Sequence, residues 1–301
     1  MNVSDLVGRA RGFLRETSYV RAYMFDERFR ALGKPEFRGS YLPYFCYAGL
    51  ANRFRSHFAA SLVGRELNRQ VLPIWIKTMH LESDATDVFE EEWSKFRGGL
   101  PHGYVGVNTS SVLTGEFRSL AQSKQQLVVL GFDLQWLPIA ETRRLFGPHE
   151  SVEFRFRPNL VAAANELVAS LRRPYLAVHI RQTDFIANQA NYKPMSYYEA
   201  EIAKAVGGRA DRLKYATLLV ASDDSVNLDA ALLAEFENVV ILTPEKSRTE
   251  AGVASEALVH LLALGTSDGF VGTPRSSFSE FADAVQCGAV VVPGLHLNSL
   301  V

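Results

Sequence analysis

Cysteine is scarce in this chain of 301 residues, which carries Cys46 and Cys287 and no others. Two thiols in a chain of this length make no disulfide framework, and both read as reduced core residues. Net charge is nearly absent too, at −1 from 32 basic and 33 acidic residues. That excludes the strongly basic face a nucleic-acid partner requires. No apolar run reaches the roughly 18 residues of a membrane span, and no N-terminal hydrophobic segment marks a secretory signal. There is no Asp-x-Asp pair and no Cys/His cluster at zinc spacing, so no metal site is expected. Repeats and low-complexity tracts are missing. These absences describe a cytoplasmic protein.

What is present suits a globular enzyme or binding protein. Hydrophobic residues make up 47% of the chain and charged residues 22%, enough for a sizeable core. The length fits two domains of roughly 150 residues. Residues 1–32 interleave Leu6, Phe13, Leu14, Tyr19, Tyr23, Phe25 and Phe29 with six arginines, reading as one or two amphipathic helices. Asp5, Glu16, Asp26 and Glu27 dilute that positive charge. Packing on the protein body is expected there, with membrane contact at most peripheral.

From residue 42 onward apolar runs alternate with helical patterns. Strands are predicted at 42–47, 71–76, 126–132, 175–181, 216–222, 238–243, 269–272 and 288–293. Helices are predicted at about 53–68, 138–145, 159–173, 196–207, 225–236, 251–266 and 277–286. Residues 77–122 read as loops and short helices. Alternating β and α segments with short links imply parallel sheets covered on both faces. The expectation is an α/β protein of two Rossmann-like, doubly wound domains facing a cleft. Residues 1–160, with the helical extension, form the first and residues 161–301 the second.

Four clusters fall at strand ends. The run Tyr-Leu-Ala-Val-His-Ile-Arg-Gln-Thr-Asp, residues 175 to 184, begins apolar and ends polar. Side chains alternate along a strand, so His179 and Arg181 share a face. A desolvated guanidinium needs an anion, and its planar fork suits a phosphate. The alternative is a salt bridge to a carboxylate of the other domain. Gly49-Leu50-Ala51-Asn52 turns from strand into helix, where free N–H groups favour phosphate; Asn52 could instead be the helix N-cap. Val220 to Asp224 ends the next strand with Asp223 and Asp224, carboxylates able to accept from a guanine edge or a ribose diol, or to cap the following helix. Gly272 to Ser279 closes a strand and opens a helix with Ser276, Ser277 and Phe278 at the turn. It reads as a second anion cradle or as a hydroxyl cap.

Val-His-Ile-Arg, Ala-Ser-Asp-Asp and Ser-Ser-Phe-Ser, in this order, resemble the three peptide motifs of the fucosyltransferase superfamily that includes the α1,6- and protein O-fucosyltransferases. Gly-Leu-Ala-Asn-Arg…His-Phe…Leu-Asn-Arg…Leu-Pro-Ile-Trp is similar to the first conserved segment of the protein O-fucosyltransferases. The resemblance covers residues 42–76 and 175–285. It implies a GT-B pair of domains, GDP-fucose as donor substrate, inversion at the anomeric carbon, and neither metal nor cofactor. Carried over, Arg181 holds the diphosphate and His179 helps set the donor. Asp223 reads the guanine, and Ser276, Ser277 and Phe278 line the phosphate and nucleoside pocket. Asn52 lies near the β-phosphate and the reacting centre, and Gly49 belongs to the donor-binding set. Gln182 stands where the α1,6 branch has a second Arg, Phe185 where it has a Lys, and Gln189 near its catalytic Glu. Those departures argue against an α1,6 enzyme and leave the base unassigned. With two cysteines and no signal, a glycan, lipid-linked sugar or protein of the cytoplasm is the expected acceptor. A GDP-sugar-binding protein without transferase activity, or a transferase using another nucleotide sugar, fits the same motifs.

Overall fold

The computed structural model describes residues 41–46, 48–75, 81, 83, 85–90, 105–122, 128–130, 132–182, 192–207, 215–243, 250 and 252–296. The predicted helices at 1–32, and Asp184, Phe185 and Gln189, lie outside the described residues.

The first half holds a parallel sheet of four strands in the order β2-β1-β4-β3. These are β1 (Tyr41–Cys46), β2 (Gln70–Trp75), β3 (Val105–Val107) and β4 (Val128–Leu130). Helix α1 (Leu50–Leu67) connects β1 to β2. It starts three residues earlier than its sequence pattern predicts, because Gly49 takes the N-cap position. Short helix α2 (Thr109–Thr114) follows β3, and α3 (Ile139–Phe146) follows β4.

The second half repeats the architecture. Strands β6 (Tyr175–Ile180), β7 (Thr217–Ser222), β8 (Asn238–Leu242) and β9 (Gly269–Val271) form a parallel sheet in the order β8-β7-β6-β9. Helices α4 (Pro158–Ala169), α5 (Met195–Gly207), α6 (Ala230–Leu233), α7 (Val253–Gly265) and α8 (Ser277–Gln286) link and cover the strands. Every residue of β6 and β7 is buried. Leu176, Val178 and Ile180 enter one apolar cluster with Tyr198 and Ile202 of α5. Tyr175 and Ala177 enter another with Ala263, Leu264 and Ala282. Burial on both faces is why this strand reads as a continuous apolar run.

Three expectations need correction. The 288–293 strand shortens to β10 (Val290–Val291), which pairs with β5 (Val152–Glu153) in a separate two-stranded sheet. The 225–236 helix shrinks to α6, because Asp229 caps it through the N–H groups of Ala231 and Leu232. Cys46 is buried as expected, but Cys287 is exposed, just past the end of α8.

The largest apolar cluster joins the two halves. Phe54 of α1 packs against Phe281 of α8 with centroids 4.7 Å apart, and Phe89, Phe154 and Phe156 close around them. Glu280 of α8 ties three helices: it pairs with Arg55 of α1 and accepts the first N–H of α3, from Ile139. Among the described residues, no helix is long and apolar enough to cross a membrane.

Candidate active site

The carboxyl ends of β1, β6, β7 and β9 carry the sequence-predicted residues, the edge where open α/β sheets bind ligands. Two helices start there without a side-chain cap. Gly49 is the N-cap of α1, and a Cβ built on it would meet nothing within 4 Å. Ser276 is the N-cap of α8, and its hydroxyl makes no capping hydrogen bond. The residue before each cap, Ala48 or Arg275, has a positive φ, of 71° and 64° respectively. Such backbone is costly for residues with a Cβ and gathers at functional turns. Both helix starts therefore aim unsatisfied N–H groups and a positive dipole end outward. Phe54 and Phe281 each sit five residues past their caps. Each helix start thus lies about 7–8 Å along its axis from the Phe54–Phe281 contact.

Asn52 is not the N-cap of α1. It occupies the third helical position, half-buried, and its side chain makes no hydrogen bond among the described residues. The next residue is one the sequence pattern missed. Arg53 is 0% exposed and donates to the main-chain carbonyls of Ala48 (2.8 Å), Cys46 (3.2 Å) and Leu81 (3.3 Å). Its guanidinium lies 4.3 Å from the Trp75 ring centroid. Burial lowers its pKa to about 10, which still leaves it charged at neutral pH. Arg53 pins the β1–α1 turn and buries a positive charge beside it.

On β6 the alternation holds. The parallel register pairs His179 with Ala221 and Ile180 with Ser222. One rung further, Arg181 meets Asp223, with Nε 3.2 Å from Oδ2. The Gln182 N–H donates to Oδ1 of the same carboxylate at 2.7 Å. So Asp223 does not cap the next helix, and Asp224 turns back onto the N–H of Ser225. Arg181 does make a salt bridge, and this one is with the neighbouring strand.

His179 is 4% exposed, stacked on Phe278 with centroids 4.8 Å apart, and hydrogen-bonded through Nδ1 to Ser279 Oγ at 2.7 Å. Burial, then the charge of Arg181, lowers its pKa to about 3, with Asp223 opposing. The imidazole is neutral at physiological pH. Thr273 fastens this strand to the α8 turn. Its hydroxyl donates to His179 C=O at 2.7 Å and accepts from the Arg181 N–H at 2.9 Å. With its one hydrogen spent, it can only accept from the Tyr198 O–H at 3.0 Å. Gly272 lets α8 close on β9, since a Cβ there would meet Ser279 Cβ at 2.8 Å. Sequence reading placed Thr273 and Ser279 in the cluster but gave neither a role. Their hydroxyls matter through partners far along the chain.

His179, Arg181, Asp223, Ser276 and Phe278 are thus brought together, with Ser277 in the first turn of α8. Gly49 and Asn52 stand at the matching helix start of the first half. A cavity of about 510 Å³ between Glu90, Arg155, Phe156, Pro158, Asn165 and Gly294 includes none of them.

Two Rossmann-like halves with phosphate-suited turns at their strand ends make up a GT-B glycosyltransferase fold. A sequence profile for GDP-fucose protein O-fucosyltransferase matches residues 134–285, just over half of the chain. The chain belongs to that family. The match contains every predicted site residue except Gly49 and Asn52. No curated protein matches in sequence. Among solved structures the fold is similar to POFUT1 in complex with GDP, at TM-score 0.51 and 13% identity, covering 85% of this chain and 99% of that one. It is similar to the fucosyltransferase NodZ from Bradyrhizobium, at TM-score 0.53 and 15% identity, covering 82% and 93%. It is also similar to a mutant of Arabidopsis thaliana FUT1 in complex with GDP, at TM-score 0.51 and 13% identity, covering 87% and 72%.

Proposed function

We propose that this enzyme transfers fucose from GDP-fucose to an acceptor hydroxyl in one inverting displacement. Residues 161–301 hold the nucleotide sugar, and residues 1–160 present the acceptor. The observation that carries the reading is the uncapped start of α8 at the strand edge that holds Arg181, with a matching uncapped start of α1 at the carboxyl end of β1 in the other sheet. As the acceptor oxygen bonds to C1, the bond from C1 to the β-phosphate oxygen breaks. The electron pair leaves on GDP, and charge builds on the β-phosphate. Arg181 (held by Asp223), the N–H groups at Ser277 and Phe278 and the amide of Asn52 are donors suited to that charge. With them in place, leaving-group stabilisation does not call for a divalent ion.

Asp223 suits the guanine edge. A carboxylate offers about four acceptor sites, and N1–H and N2–H of guanine would approach the carboxylate that Arg181 and Gln182 already hold. His179 and Phe278 form one stacked wall beside it. Both cysteines are unpaired, which fits a reducing compartment and an acceptor found there: a glycan, a lipid-linked sugar or a protein. The test is GDP release from GDP-fucose against panels of those three acceptors, with EDTA present. Acceptor-stimulated release supports transfer. Tight GDP binding without release under any acceptor supports a binding protein, and release only on adding a divalent ion contradicts the metal-independent step.

A further inference from the structure

We propose that Ser279 is a positioning residue that fixes His179 as the Nε2–H tautomer, so that a neutral imidazole offers a hydrogen-bond donor to the nucleotide's diphosphate. The proposal rests on the reading that this site holds a nucleotide diphosphate. Its evidence is the count of hydrogens around Ser279 Oγ. The Thr273 N–H donates to that oxygen at 2.8 Å, and His179 Nδ1 stands 2.7 Å away. Two arrangements satisfy the distance. If Nδ1 carries the proton, it donates to Ser279, whose own hydrogen then has no acceptor among the described residues, at a position 5% exposed. A buried hydroxyl hydrogen without a partner is costly. If Ser279 donates to Nδ1, its hydroxyl is fully used and the imidazole proton must sit on Nε2. That nitrogen makes no hydrogen bond among the described residues. Only the second arrangement leaves one group over, and that group is a donor. Phosphate oxygens accept and do not donate, so this tautomer alone can serve them. Stacking on Phe278 holds the ring plane, and Arg181 and Asp223 are the charged groups whose fields reach it. Ser279 thus acts on the substrate through His179, as partners of the distal nitrogen do for catalytic histidines elsewhere.

The test is nitrogen NMR of histidine-labelled protein at neutral pH, with and without GDP. The His179 signals are identified by their loss in His179→Gln. In the intact protein Nδ1 should be unprotonated and Nε2 protonated, and GDP should shift the Nε2–H signal. In Ser279→Ala the two tautomers should average, and GDP affinity should fall about fivefold, the worth of one hydrogen bond. A proton on Nδ1 in the intact protein overturns the proposal whether or not the variant folds. So does an unchanged tautomer in Ser279→Ala, or GDP binding that leaves Nε2 undisturbed. Calorimetry on the same samples separates the two levels. If GDP does not bind at all, the nucleotide reading fails and the proposal falls with it, whereas binding with the wrong tautomer defeats the role of Ser279 alone.

Discussion

Arg181 and Asp223 face each other one rung beyond the last paired residues of β6 and β7, with Arg181 Nε 3.2 Å from Asp223 Oδ2. The side chains are 22% and 12% exposed, so the pair is only partly screened by water. The unliganded guanidinium already has an anion, contrary to the simplest reading of the sequence. Binding a diphosphate therefore adds a second anion to an occupied Arg. Arg181→Ala should cost about 1.5–3 kcal/mol of stability without ligand, the range for a charge-assisted hydrogen bond. Urea unfolding of the unliganded variant measures it, and an unchanged midpoint would show the pair to be idle.

Asp223→Asn tests the guanine assignment on the same rung. The change removes a charge while keeping an acceptor for the Gln182 N–H, so folding should survive. Binding of GDP should weaken by about 1.5–3 kcal/mol, because two guanine N–H groups lose a charged acceptor. Calorimetry with GDP and with inorganic diphosphate distinguishes the parts of the ligand. A loss shared equally by both would place Asp223 at the phosphates instead.

Thr273→Val keeps the shape of the side chain and removes three hydrogen bonds. The His179 carbonyl and the Arg181 N–H lose buried partners, at about 1–3 kcal/mol for each unsatisfied group. We expect a marked fall in melting temperature and weaker GDP binding. Thr273→Ser should restore most of both. Failure of Ser to rescue would mean the methyl group, not the hydroxyl, holds the turn.

Arg53→Met removes the donor to three carbonyls in an interior that cannot rehydrate them. The expected loss is about 3–5 kcal/mol, as for other disrupted buried charge networks. Arg53→Lys should recover little, since one ammonium cannot span Ala48, Cys46 and Leu81. Melting curves of both variants decide this.

Acid should destabilise the fold through its buried histidines. His57 is held between Tyr44 and Ser61, and burial lowers its pKa to about 3, as for His179. In the unfolded chain both titrate near 6.5. Below that value the unfolded state binds more protons, so stability is full above about pH 6.5 and falls as pH drops toward 3. The slope is about 1.4 kcal/mol per pH unit for each histidine. Unfolding free energies at pH 7, 6 and 5 should show it, with a shallower slope in His57→Gln. An equal slope in that variant would mean His57 is protonated in the folded state.

The sequence showed the second half well because β6 and β7 are buried along their whole length and carry long apolar runs. The turns were legible too, since Gly49, Ser276 and Asp223 are residue types that end strands and start helices. Pairing was not legible. That Arg181 meets Asp223 follows from the parallel register of β6 and β7, which lies in main-chain geometry. Arg53 was hidden because an arginine in a helix is normally read as facing water, whereas here three carbonyls and Trp75 enclose it. The fate of 288–293 was equally hidden: Val290 and Val291 suit any strand, and only β5, 137 residues or more upstream, decides their partner.

A strand edge that binds a guanine nucleotide diphosphate through Arg181 and Asp223 has a direct signature in nucleotide affinity. Calorimetric titration with GDP and with UDP, in EDTA, tests it most directly on the wild type and on Arg181→Lys. GDP should bind without a divalent ion and at least about tenfold more tightly than UDP. Arg181→Lys should lose most of that affinity, because a point charge cannot replace the planar two-point grip. Equal affinity for GDP and UDP, or Arg181→Lys binding GDP as well as the wild type does, would contradict it.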